Sequence, residues 1–261
     1  MIDTTRLPPA RRPDAGAWVR LILVEARMVW RDPGGLIIPI GLPLLIMVMN
    51  GLGAGDQPAL DGLGGLRPFD AIVAPLTLAM VVALIGIVNM PSFLATYRRT
   101  GVLRRLAVTP AHPAMVLVAQ VLVSAAQTAF GVALAVGVAR VAFDLAWPVD
   151  PLAAVGVLVL GAMAMYALGM LIAALAPTAN SAVAIGMVAF FAMLALGGGL
   201  GPADALPDVL RTLGEMLPYG AAAAGMSAAW MGETPDMLHL GMLAGTALVA
   251  SATAARLFRW E

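Results

Sequence analysis

The chain has no cysteine and no lysine, only two histidines and few charges: 11% of its 261 residues are charged, against 61% hydrophobic. Each scarcity excludes something. Without cysteine there is no disulfide framework, no thiolate metal site and no cysteine nucleophile. His112 and His239 stand apart, and no cluster of residues has the spacing of metal ligands. There is no G-x-x-x-x-G-K-[ST] segment, which excludes nucleotide binding through a P-loop. Ordinary globular domains carry about 25% charged residues, so this composition lies outside that class. Residues 1–16 are rich in arginine and proline, with no continuous apolar stretch and no small-residue cleavage site. A signal peptide is therefore not expected, and the apolar segments further on are read as permanent parts of the protein.

What is present instead is a series of long apolar runs. Crossing a bilayer takes roughly 20 mostly apolar residues in a helix. Six runs qualify: 36–53, 71–94, 114–139, 152–175, 181–200 and 237–256. None shows the alternation of a barrel strand, so the sequence predicts an all-α integral membrane protein of one transmembrane domain. Pro39, Pro43, Pro75 and Pro91 fall within or at the ends of the first two runs. Membrane helices tolerate proline where neighbouring groups satisfy the freed carbonyls.

Arginine placement predicts orientation. With the N-terminus inside, twelve of the fifteen arginines lie on the inner side, and only Arg67, Arg140 and Arg211 lie outside. Ten acids, from Asp56 to Asp236, fall outside. The positive-inside rule then puts both termini in the cytoplasm, as six spans require.

Before the first run, residues 15–31 predict an amphipathic helix. Arg20, Arg27 and Arg31 share one face, and Trp18, Leu21, Ile22, Met28 and Val29 form the other. Such a helix lies in the membrane interface, and Asp32-Pro33-Gly34-Gly35 is expected to break it before the first span. Glu25 sits in the middle of the apolar face. It either snorkels or pairs locally, or makes a salt bridge to the cytoplasmic end of a span or to a partner subunit.

Between the second and third runs, Tyr97 to Pro110 holds four arginines, no acid, and a terminal Thr-Pro. Gly101, Leu103, Leu106 and the Thr109-Pro110 stop predict a short amphipathic helix at the membrane surface, with Arg98, Arg99, Arg104 and Arg105 projecting from it. The loop resembles the one after the second span in membrane subunits of type-2 ABC exporters, a group that includes daunorubicin-type drug exporters and polysaccharide exporters. There it typically reads E-R-E-x-G-T-L-E-R-L…T-P; Arg98, Gly101, Leu103, Arg105, Leu106, Thr109 and Pro110 match. The resemblance extends to the interfacial helix ending in Arg31-Asp32-Pro33, the six spans, and the long outer segment before the last of them.

The resemblance implies that Tyr97–Pro110 is the helix that couples to a separate P-loop ATPase. That partner would carry the ATP and Mg, with no cofactor on this chain, and two permeases would pair. It also implies a smaller second contact at Ala176-Pro-Thr-Ala-Asn180. The family often has acids where this chain has Tyr97, Arg99 and Arg104, a departure that points to a second, different permease beside this one.

The span interiors carry almost no ionisable group, which argues against a proton- or sodium-driven transporter. Gln120, Ser124 and Gln127 form one stripe in the third run, either bonding helix to helix or lining a path. Gly241 and Gly245 make a GxxxG in the last run. In the outer segment 201–236, Asp208–Pro218 and Pro218–Trp230 predict two short interfacial or re-entrant helices. The expected function is export of an amphiphilic drug, lipid or glycolipid across the cell membrane. The alternatives are a membrane scaffold or sensor subunit and, on Ser227 and His239, an intramembrane hydrolase.

Overall fold

The computed structural model describes residues 14–54, 57–99, 114–201 and 206–257. Among them there is no strand, only an isolated bridge between Leu60 and Leu66. Six helices are long and apolar enough to cross a membrane: Pro33–Gly53, Phe69–Tyr97, Met115–Phe143, Pro151–Leu175, Ala179–Leu196 and Met237–Leu257. The end of the bundle where the first span begins is called here the near end, and the opposite one the far end.

Helix α1 (Ala15–Arg31) starts where Asp14 accepts a hydrogen bond from the Ala17 amide at 2.7 Å, leaving one fewer orphan donor in the first turn. Its protein-facing stripe is Leu21, Ile22, Glu25, Ala26 and Val29, seated on Phe93, Val116 and Val123 of the second and third spans. Met28, expected on that face, is exposed, as are Arg20, Arg27 and Arg31; Trp18 is half-buried. The break before the first span is a single residue, Asp32, rather than the four expected. Helix α2 (Pro33–Ala54) already begins at Pro33, whose missing N–H costs nothing at a first helical position.

The second span is the hub. In its most apolar stretch 78% of residues are buried, against 22–44% for the other five. It is not uniformly α-helical. A π segment (Phe69–Val73) leads into α3 (Ala74–Ala83), then a second π segment (Leu84–Asn89) into α4 (Met90–Arg99). Each π segment stands just before a proline, Pro75 or Pro91. Proline lacks the N–H that would bond the carbonyl four residues back, so the ladder shifts locally to the wider i→i+5 pattern. At Pro91 the orphaned carbonyl is that of Ile87. Two glycines on neighbouring helices meet this segment: a Cβ on Gly186 would collide with the Ile87 carbonyl oxygen, and one on Gly169 with that of Gly86.

Helices α5 (Ala114–Phe143), α6 (Pro151–Leu175) and α7 (Ala179–Leu196) supply the third to fifth spans. The fifth ends at Leu196 rather than reaching 200 as expected, and a glycine-rich stretch follows. Thr178 caps α7 in a reciprocal box with Ser181, so the Ala176–Asn180 turn satisfies its own backbone. Helix α8 (Asp208–Met216) is amphipathic, and α9 (Pro218–Met231) is largely buried; these are the two short helices expected of the outer segment. Helix α10 (Met237–Leu257) packs chiefly on α6. Its Gly241 and Gly245 have open space where a Cβ would stand, so the GxxxG makes no close helix contact among the described residues.

At the far end a polar clasp ties the elements together. Arg67 donates to Asp70 at 2.7 Å and to the carbonyls of Phe143 and Asp144 at 3.0 and 2.9 Å. Asp70 accepts from the Ala146 amide, and the Trp230 indole donates to the Ala146 carbonyl. Asp70, expected outside the membrane segment, lies in the first turn of the second span and is 2% exposed.

Candidate functional site

Three features distinguish this bundle from plain apolar packing, and all involve the second span.

At the near end, Tyr97 donates its hydroxyl to the carboxylate of Glu25 and also touches the Met28 sulfur at 3.4 Å. Glu25 is 4% exposed. The carboxylate in the apolar stripe of α1 thus meets the near-end turn of a span through a hydrogen bond, where the sequence left snorkelling, local pairing or a salt bridge open. Burial pushes the Glu25 carboxyl above the ordinary carboxylate range, and the bond from Tyr97 draws it partly back. Arg20 lies 3.8 Å from Asp14, both well exposed. Arg98 and Arg99 fall in the last turn of α4. Gly101, Leu103, Arg104, Arg105, Leu106, Thr109 and Pro110 lie outside the described residues.

Deeper in the bundle is a neutral polar node. Pro39 cannot donate to the carbonyl of Gly35, four residues back. Two side-chain amides do so instead: Asn89 at 2.8 Å and Gln127 at 2.7 Å. Asn89 also donates to the Gln127 carbonyl oxygen at 3.0 Å. Asn89 is the last residue of the second π segment. One carbonyl freed by a proline therefore pins together the first, second and third spans. The next residue of α5, Thr128, bonds Tyr166 at 2.6 Å, and the Tyr166 hydroxyl donates to the Ser124 carbonyl at 3.1 Å. Gln120, Ser124 and Gln127 all face inward, and each is buried. The Gln120 side-chain oxygen has no partner among the described residues.

At the far end lies a cavity of about 690 Å³. Its walls are Ile46 and Asn50 of the first span, Ile72, Val73, Leu76, Thr77 and Met80 of the second, residues 196–201, Glu215 of α8, and Gly220, Ala223, Ala224 and Ser227 of α9. The glycines at 197, 198, 199 and 201 bound the space without filling it. Its size suits a drug-sized solute, and its lining is mostly apolar, as in small-molecule sites generally.

The sequence pointed to Glu25, Tyr97 and Gln127 without pairing them. It missed the Gly35 carbonyl, Thr128, Tyr166 and the far-end cavity. Pro39 carried the signal for Gly35, because a proline inside a membrane helix marks an acceptor four residues earlier that needs a donor from elsewhere. Nothing local marks the cavity, which forms from segments far apart in sequence.

No curated protein matches the chain. A family model, described as the ABC-2 type transporter, matches residues 17–231. That stretch runs from the interfacial helix through five spans and both far-end helices, taking in the Glu25–Tyr97 contact, the Gly35 node and the cavity wall. The chain belongs to the ABC-2 type transporter family and is a multi-pass membrane permease of an ABC transporter.

Proposed function

We propose that this permease exports an amphiphilic solute, driven by a separate P-loop ATPase that docks at the near end. The observation that carries the reading is the course of the second span. The same buried helix lines the far-end cavity through Ile72, Leu76, Thr77 and Met80, and runs past Tyr97 to Arg99, into the arginine-rich segment. A push on that loop is thereby delivered to the cavity wall by one element. Tyr97 and Glu25 would carry the interfacial helix along with it. The arginine bias supports a cytoplasmic near end, with both termini inside and the protein in the cell membrane. A drug, lipid or glycolipid suits the apolar lining. A second permease, identical or different, would complete the pathway, and the arginines standing where relatives often carry acids favour a different one.

Co-purification with a P-loop ATPase whose turnover rises with cargo supports the reading. Gly101→Pro, or Arg104→Glu with Arg105→Glu, is expected to abolish the cargo-stimulated part of that turnover while leaving the complex assembled. Stimulation that survives both changes removes the loop from the coupling path.

A further inference from the structure

We infer that the far-end cavity selects lipophilic cations, and that Glu215 is the residue that selects them. The inference rests on the reading of this cavity as part of the cargo path.

Glu215 is the one charged residue among the described residues that wall the cavity. It has no hydrogen-bond or ion-pair partner among the described residues. The cations that could neutralise it are already engaged. Arg67 is bonded to Asp70 at 2.7 Å, Arg140 lies 3.8 Å from Asp144, and Arg211 lies 3.2 Å from Asp208. These three are all the arginines in the far-end segments, and the chain has no lysine. The far end is therefore negative on balance, with one exposed carboxylate among the residues lining a mostly apolar space, and such a field raises the local concentration of cations.

One neutral polar group, Thr77, points the same way. Asn50 donates its amide to the Ile46 carbonyl at 2.8 Å, and Thr77 donates its hydroxyl to the Val73 carbonyl at 2.8 Å. Thr77 has spent its one donor within its helix and keeps acceptor oxygen for a solute, whereas Asn50 keeps a second amide hydrogen as well as its oxygen. A phosphate or carboxylate entering here would meet a like charge at Glu215 and no donor from the Thr77 hydroxyl. A cation with an apolar body would meet Glu215 at its charged end and Ile46, Ile72, Leu76 and Met80 along the rest.

The test uses tetraphenylphosphonium and tetraphenylborate, ions of the same shape and opposite charge, with the full-length protein in lipid nanodiscs and binding read by equilibrium dialysis. Saturable binding of the phosphonium and none of the borate is expected. Glu215→Gln should weaken phosphonium binding about fivefold, on the scale of a solvent-accessible ion pair, and Glu215→Asp should restore most of it. Glu233→Gln removes the same unit of charge from the far end without touching the cavity and should have no effect. Equal binding of the two ions overturns the inference, as does an effect of Glu233→Gln as large as that of Glu215→Gln. The measurement needs neither ATPase nor transport. A phosphonium site in a protein that exports nothing would leave this inference standing and overturn the exporter reading instead.

Discussion

Replacing Asn89 and Gln127 singly and together measures how the Gly35 carbonyl is held. Either single change to leucine leaves the other amide donating, and side-chain bonds between membrane helices contribute about 0.6 to 2 kcal/mol. The double change leaves the carbonyl with no donor in the bundle interior, an added cost of about 1–3 kcal/mol beyond the two singles. Pro39→Ala supplies the missing N–H within α2, so the excess is expected to vanish in that background. Unfolding free energies in bicelles would show it; an equal excess with and without Pro39 would mean the proline is not why the amides are there. The residues of this node were all visible as polar letters in apolar runs. Their partner was not, because it is a backbone atom, and only its position four residues before a proline marks it.

At the scale of the element, the second span departs most from what its letters suggest. Its apolar run and its two prolines are plain in the sequence, and they predict a helix over 71–94, a few residues shorter than the Phe69–Tyr97 span. The two π segments are not legible in the same way, because a proline can equally be absorbed by a kink. What accommodates the second of them lies on other helices, at Gly169 and Gly186. These two are indistinguishable by sequence from Gly156, whose missing Cβ would meet nothing within 4 Å. Gly169→Ala is expected to destabilise by about 1–3 kcal/mol, because the neighbouring backbone must shift. Gly156→Ala on the same helix should be neutral or stabilising by up to about 1 kcal/mol. Thermal unfolding in detergent separates the two cases, and equal costs would contradict the close contact between Gly169 and the π segment. The boundary at Asp32 teaches a related lesson. Pro33, expected to belong to a four-residue break, opens the next helix instead, because at the first position its missing N–H is harmless.

For the whole molecule, hydropathy made the span count legible, and the two far-end helices showed through their own short amphipathic and small-residue patterns. The packing order among spans was hidden: the second run has the highest mean hydropathy of the six, but that does not say which helices enclose it. The absence of cysteine offers a direct check on orientation. Single cysteines at Ala15 and Glu233 lie on opposite ends of the bundle, both exposed. In intact cells a membrane-impermeant maleimide is expected to label Glu233→Cys, and Ala15→Cys only after lysis. The reverse pattern would invert the proposed topology.

The Gly35 node has one more consequence. All three of its partners are uncharged, and so are Thr128 and Tyr166 beside it. Moving a unit charge across a 100 mV potential involves about 2.3 kcal/mol, but rearranging this seam moves none. The membrane voltage therefore has nothing to pull on in this seam.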